Sequence, residues 1–121
     1  MFLFNRKAPR LSVAEARTRT AGERPEAVLL DVREKPEWKA GHAPDAVHVP
    51  LTGLVAGAAV PVSARGRTLV VICRSGHRSQ QAAKLLVERG VDAVDVKGGM
   101  NAWAAAGYPV VSERGNSGST A

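Results

Sequence analysis

The sequence predicts an α/β fold, in which a small, mostly parallel sheet is flanked by helices on both faces. Three observations predict it. AVLLDV at 27–32 and TLVVIC at 68–73 are apolar runs without a helical period, so they read as strands buried on both faces. Segments with helical spacing or helix caps alternate with such runs along the chain, and that alternation favours parallel strands covered by helices. Gly and Pro stand at the joins, where they start and stop elements. The chain of 121 residues is short enough for one domain and long enough to bury a core without disulfides or a metal.

The elements follow in order. Ser12 precedes Glu15 by three residues, which is a capping box and starts a helix near Val13. Strand 27–32 comes next. EKPEWKAG reads as a short helix, with Pro36 in its first turn and Gly41 just past its end. AVHV at 46–49 is a brief strand that Pro50 stops. The stretch 51–66 reads as a short helix and loop. Strand 68–73 leads into a helix, SQQAAKLLVERG, whose stripe is Ala82, Leu85, Leu86 and Arg89, with Gly90 as its cap. DAVDVKGG is a last strand running into a double-glycine turn, NAWAAAG a closing helix, and YPVV an extended exit. SERGNSGSTA at 112–121 is small and polar and reads as a frayed tail.

Composition narrows the function classes. The net charge is +6, but the basic residues are scattered and aromatics make up only 4% of the chain. Nucleic-acid binders cluster Lys and Arg and interleave aromatics, so neither nucleic acid nor a membrane is an expected partner. One cysteine allows no internal disulfide, which fits a reducing compartment. MFLFNRKAPR lacks the apolar core of a signal peptide, and the expected location is cytoplasmic.

That cysteine, Cys73, falls at the carboxyl end of a predicted strand, where open α/β sheets bind ligands. Arg74, Ser75, Gly76, His77 and Arg78 follow it directly. A free thiol ionises near a pKa of about 8.5, and electropositive sites lower that to roughly 3.5–7.5. The next helix turns its N-terminus, with its unpaired N–H groups, back toward this loop. Arg74 and Arg78 are permanent cations, and His77 adds a partial one. Gly76 lets the loop direct N–H groups inward as an anion nest. These features predict an ionised nucleophile at the mouth of a short electropositive pocket. The alternative, a small inert core residue, has no use for the cations.

Other chemistries fit the loop less well. GHRS lacks the glycine spacing and lysine of a P-loop. One cysteine with His42, His48 and His77 shows no paired metal-ligand spacing, so no metal and no cofactor are expected. A Cys–His protease dyad stays open, although His77 is close in the chain for a separate base.

Four stretches in order resemble the rhodanese-like sulfurtransferases: LLDVREKPEW, GHAPDAVHVP, VVICRSGHRSQQAAKLL and VKGGMNAWAAAGYPV. The resemblance covers residues 10–111, leaving 1–9 as an extension and 112–121 as the tail. It implies the three-layer fold of that family, with Cys73 as the sulfur-accepting nucleophile and the loop to Arg78 as its cradle. It further implies a small anionic sulfur donor such as thiosulfate, a persulfide on Cys73, and cyanide or a thiol or protein as acceptor. Arg74 and Arg78 would hold the donor's sulfonate oxygens. With no second cysteine, the persulfide would wait for an external acceptor. Where the family often has glycine, this chain has Asp45, itself a competent turn residue.

Two rivals are weighed within the same family fold. Phosphatases and arsenate reductases related to it use five residues between Cys and Arg, whereas four separate Cys73 from Arg78. The shorter loop suits a sulfur atom better than a tetrahedral oxyanion. Other members are binding or regulatory modules that have lost the cysteine, which this chain keeps. Asp31 and Arg33 either wall the pocket or form an ion pair tying their strand to neighbouring loops. Gly98 and Gly99 either let backbone approach the pocket or make a plain turn. Trp38 and Trp103 read as packing residues, His42 as a hydrogen-bonded structural histidine, and Phe2, Leu3 and Phe4 as a patch that docks on a partner or on the domain.

Overall fold

The computed structural model describes residues 9–113 and 118, so the Phe2–Phe4 patch and most of the 112–121 tail lie outside the described residues. Five parallel strands are β1 (Arg10–Leu11), β2 (Ala27–Asp31), β3 (Val47–His48), β4 (Thr68–Ile72) and β5 (Ala93–Val96), in the order β1-β5-β4-β2-β3. The helices are α1 (Val13–Thr20), α2 (Lys35–Ala40), α3 (Leu51–Val55), α4 (Arg78–Glu88) and α5 (Gly99–Ala105). A 3-10 turn covers Val62–Ala64.

Side chains alternate across the central strands, because successive residues of a strand face opposite sides. Leu30, Leu69 and Val71 pack on one face against Leu51 and Leu54 of α3 and Ala82, Ala83 and Leu86 of α4. Leu29, Val70 and Ile72 pack on the other against Ala16 of α1 and Met100 and Trp103 of α5. Burying each of these leucines contributes on the order of 1.5–3 kcal/mol, and both faces are filled. That is why 27–32 and 68–73 are apolar throughout rather than alternating.

The capping box at α1 forms as read: Glu15 N–H donates to Ser12 Oγ, and Ser12 N–H donates to Glu15 Oε1. Gly90 follows α4 with φ +84° and is the cap expected there. Three details differ from the sequence reading. The buried face of α4 is Ser79, Ala82, Ala83 and Leu86, while Leu85 is half-buried and Arg89 exposed. Helix α4 touches both the sheet and α3, so its contact face is wider than one stripe. Helix α5 starts at Gly99, two residues before Asn101, because the double glycine itself forms the helix entry. Strand β1 was not anticipated: two residues carry no period, and only pairing with β5 makes them a strand.

Candidate active site

Strand β4 is central in the sheet and ends at Ile72, so Cys73 is the first residue beyond its carboxyl end. The chain then folds back over the sulfur. Gly76 N–H donates to Cys73 Sγ at 3.1 Å, and Ser79 N–H, in the first turn of α4, donates at 3.3 Å. Gly76 has φ +100°, and a Cβ there would crowd Gly98 N at 3.0 Å and Arg10 Nη2 at 3.1 Å. The Gly76 carbonyl is held by Arg10 Nη2 at 3.0 Å and Gln80 Nε2 at 2.8 Å, so its peptide is fixed from outside the loop.

Gly99 lies in close approach to the Cys73 loop, whereas a Cβ on Gly98 would meet Ala102 of its own helix. Both have positive φ, and a Cβ on Gly99 would overlap the Cys73 carbonyl oxygen. Met100 N–H donates to the Cys73 carbonyl at 2.7 Å, and Asn101 N–H to the Arg74 carbonyl at 3.0 Å. The first turn of α5 thus clamps the loop from behind.

Several expectations are corrected here. Cys73 is not at an open mouth: it is 1% exposed, beneath the loop backbone that supplies its N–H donors. Arg78 is not a free cation. Its guanidinium forms two parallel bonds to Glu37 of α2, at 2.7 and 2.9 Å. For Asp31 and Arg33, the ion-pair reading is the one the structure realises. They form a fully buried ion pair at 2.8 Å, and Arg33 Nη2 also donates to the Gly41 carbonyl at 2.6 Å, tying β2 to the end of α2. Arg74, Ser75 and His77 remain exposed on the loop, with Ser75 Oγ 3.0 Å from His77 Nδ1.

The tryptophans and His42 support this frame. Trp103 is core and donates from Nε1 to the Pro109 carbonyl at 3.0 Å. Trp38 is half-buried and stacks between the rings of His42 and His48, at 3.6 and 4.7 Å. His42 Nδ1 lies 2.7 Å from the Trp38 carbonyl, a structural role. A cavity of about 150 Å³ near Trp103 and a groove of about 450 Å³ near Arg89 both lie away from the thiol. Among the described residues, no cluster of His, Cys, Asp and Glu could hold a metal, and no helix is long and apolar enough to cross a membrane.

Four site residues escaped the sequence reading: Arg10, Glu37, Ser79 and Asp95. Only Asp95 left a signal, as a carboxylate inside the otherwise apolar strand AVDV. The Arg78 guanidinium beside Glu37 pulls that carboxyl down to about 2 from its ordinary 4.5. A carboxyl lowered in the folded state stabilises it fully above the unfolded value, and the contribution fades as pH falls from about 4.5 toward 2. Both partners are partly exposed, so solvent screens the gain. Glu37→Gln is therefore expected to flatten the melting-temperature curve in that acid window and leave its shape above pH 5 unchanged. Equal acid slopes in both proteins would remove the pair from the acid response.

Comparison with known proteins gives one consistent family. The family model described as "Rhodanese-like domain" matches residues 12–106. A protein named "Sulfurtransferase" from Allochromatium vinosum is 32% identical over 104 residues, covering 84% of this chain and 94% of that protein. "Adenylyltransferase and sulfurtransferase UBA4" from Yarrowia lipolytica is 36% identical over 77 residues, covering 64% of this chain and 19% of the larger protein. The crystal structure of a rhodanese-related protein from Thermoplasma volcanium superposes with a TM-score of 0.70 at 29% identity, covering 87% of this chain and 99% of that one.

Proposed function

This chain belongs to the rhodanese-like domain family, and from that premise we propose that it is a sulfurtransferase that carries sulfur on Cys73, with thiosulfate as donor and cyanide, a thiol or a protein as acceptor. One observation carries the reading. The chain's single sulfur nucleophile ends the central strand and receives two backbone N–H groups, a donor set that matches an anionic sulfur.

The reaction divides one transfer into two. The Cys73 thiolate attacks the outer sulfur of thiosulfate. A new S–S bond forms as the donor's S–S bond breaks, and sulfite leaves with the electron pair. The acceptor then attacks the outer sulfur of the persulfide, and Cys73 leaves as thiolate. No oxidant or reductant enters. Arg74, exposed and next to Cys73 in the chain, is the cation we assign to the donor's oxygens. Arg78 is engaged by Glu37 and supports the loop instead. Arg74→Ala is expected to raise KM for thiosulfate by roughly tenfold, the value of one charged hydrogen bond. Steady-state kinetics check this, and an unchanged KM would remove Arg74 from donor binding.

The 1% exposure of Cys73 favours a second reading, a regulatory module that binds partners and does no chemistry. Sulfur transfer requires the loop 74–77 to yield and admit the donor. Intact mass after thiosulfate treatment separates the two: a single added sulfur atom on Cys73 supports transfer, and an unmodified protein supports the module. Phosphatase turnover on the same preparation without thiocyanate formation would favour the oxyanion enzymes of this fold.

A further inference from the structure

At the far end of α4 from the Cys73 loop, a groove of about 450 Å³ lies between the segment that follows α3 and the last turn of α4. Ala58, Ala59 and Val60 come from the first of these and Leu86 from the second, with Val91 leading into β5. The exposed large apolar side chains of the described residues are Val55, Val62 and Val87, at 59%, 75% and 48% exposure. Each stands within two residues of the lining in the chain. Apolar residues scattered singly over a surface need no explanation, but three gathered round one apolar depression do. Arg65 and Arg89 also line the groove, and both are anchored. Arg65 Nε donates to the Val60 carbonyl at 3.0 Å, and Arg89 Nη2 to the Leu54 carbonyl at 2.8 Å. Neither guanidinium pairs with a carboxylate among the described residues. Glu88, next to Arg89 in the chain, is exposed and does not line the groove. The stretches outside the described residues contain no Asp or Glu to neutralise the two arginines.

We propose that this groove docks an acidic segment of another protein, one in which carboxylates flank two or more apolar side chains. Charge chooses among the occupants. An anchored guanidinium loses little freedom when its remaining N–H groups take a carboxylate, and its planar fork suits that group. The chain's own N-terminal stretch, MFLFNRK, has the apolar residues but would bring Arg6 and Lys7 against Arg65 and Arg89. A second copy docked face to face would bring two patches of the same positive charge together. The acidic segment supplies the apolar contact and the opposite charge at once. Because α4 has 11 residues, the groove lies roughly 16 Å along the helix from the loop that covers Cys73. A docked partner leaves that loop free, so the surface holds a partner beside the domain and does not feed the thiol.

The probe is a library of short random peptides displayed on phage and selected against the whole protein. Selected peptides are expected to carry net negative charge and at least two large apolar side chains. One of them, labelled with fluorescein and followed by anisotropy, is expected to bind Arg65→Glu/Arg89→Glu at least about tenfold more weakly than wild type, and more weakly still as salt rises. Val62→Asp is expected to weaken binding as well, by placing a like charge on the apolar rim. The changed residues are exposed, so these variants are expected to melt within a few degrees of wild type. If the double variant does not fold, Val62→Asp decides. Failure to select any peptide, selection of neutral or basic ones, or equal affinity in the variant that decides overturns the proposal. A dimer in sedimentation that Val62→Asp dissociates gives the groove to a second copy. Tighter peptide binding by Phe2→Asp/Phe4→Asp gives it to the chain's own N-terminal stretch. Either result overturns the proposal. None of these readouts needs sulfur transfer, so a failure of that chemistry leaves the docking surface standing.

Discussion

Replacing Cys73 with serine is expected to reduce sulfur transfer by more than about a thousandfold, to the background of the assay, while leaving the protein folded. The persulfide needs a sulfur nucleophile, and no second cysteine exists to substitute for it. A serine oxygen is close in size and accepts the same Gly76 and Ser79 N–H bonds, so the loop keeps its conformation. Thermal unfolding should therefore move by only a few degrees, about what 1 kcal/mol or less produces in a domain of this size. Thiosulfate:cyanide transfer and circular dichroism on the same preparation check both halves. Residual turnover within tenfold of wild type would place the chemistry elsewhere in the molecule.

Arg33→Met is expected to cost about 3–5 kcal/mol of stability, because it strands the Asp31 carboxylate in the core. Asp31 accepts from Arg33 Nε and Nη2, between 2.8 and 3.1 Å, and both side chains are fully buried. What remains to the carboxylate is the Arg33 backbone N–H at 3.0 Å. The Gly41 carbonyl loses its donor as well. Urea unfolding should show the loss directly as a lower midpoint, and thermal unfolding as a fall in melting temperature on the order of 10–20 °C. Arg33 Nη1 is buried without a partner, so the pair is imperfect even when intact. Replacing both charges with apolar residues should therefore recover most of what the single change removes. A single-variant loss below about 1 kcal/mol would mean the carboxylate finds water or another donor.

The elements that were legible in the sequence are those whose signals lie within a few residues. The Ser12–Glu15 box, the apolar runs of β2 and β4 and the Gly90 cap each depend on near neighbours, and each forms as read. Strand β1, two residues long, depends on a partner far along the chain and carried no signal. Arg78 illustrates the same limit in the site. Its charge five residues after Cys73 was evident, but its partner Glu37 lies 41 residues away, and no local pattern announces that pairing.

The sequence by itself determined the α/β alternation, the place of Cys73 at the end of a strand and the four-residue spacing to Arg78, because period, caps and spacing are local properties of the chain. Only the tertiary structure decided that the thiol is covered, that Asp31 and Arg33 are a buried tie, and that Arg10 meets Asp95 across 85 residues. Arg10 meets Asp95 because β1 pairs with β5, the thiol is covered because the loop and α4 fold over the end of β4, and Arg33 is buried because the end of α2 packs over the end of β2. Burial, and charge pairing between distant residues, are set by which surfaces meet, and neighbours in the chain do not encode that.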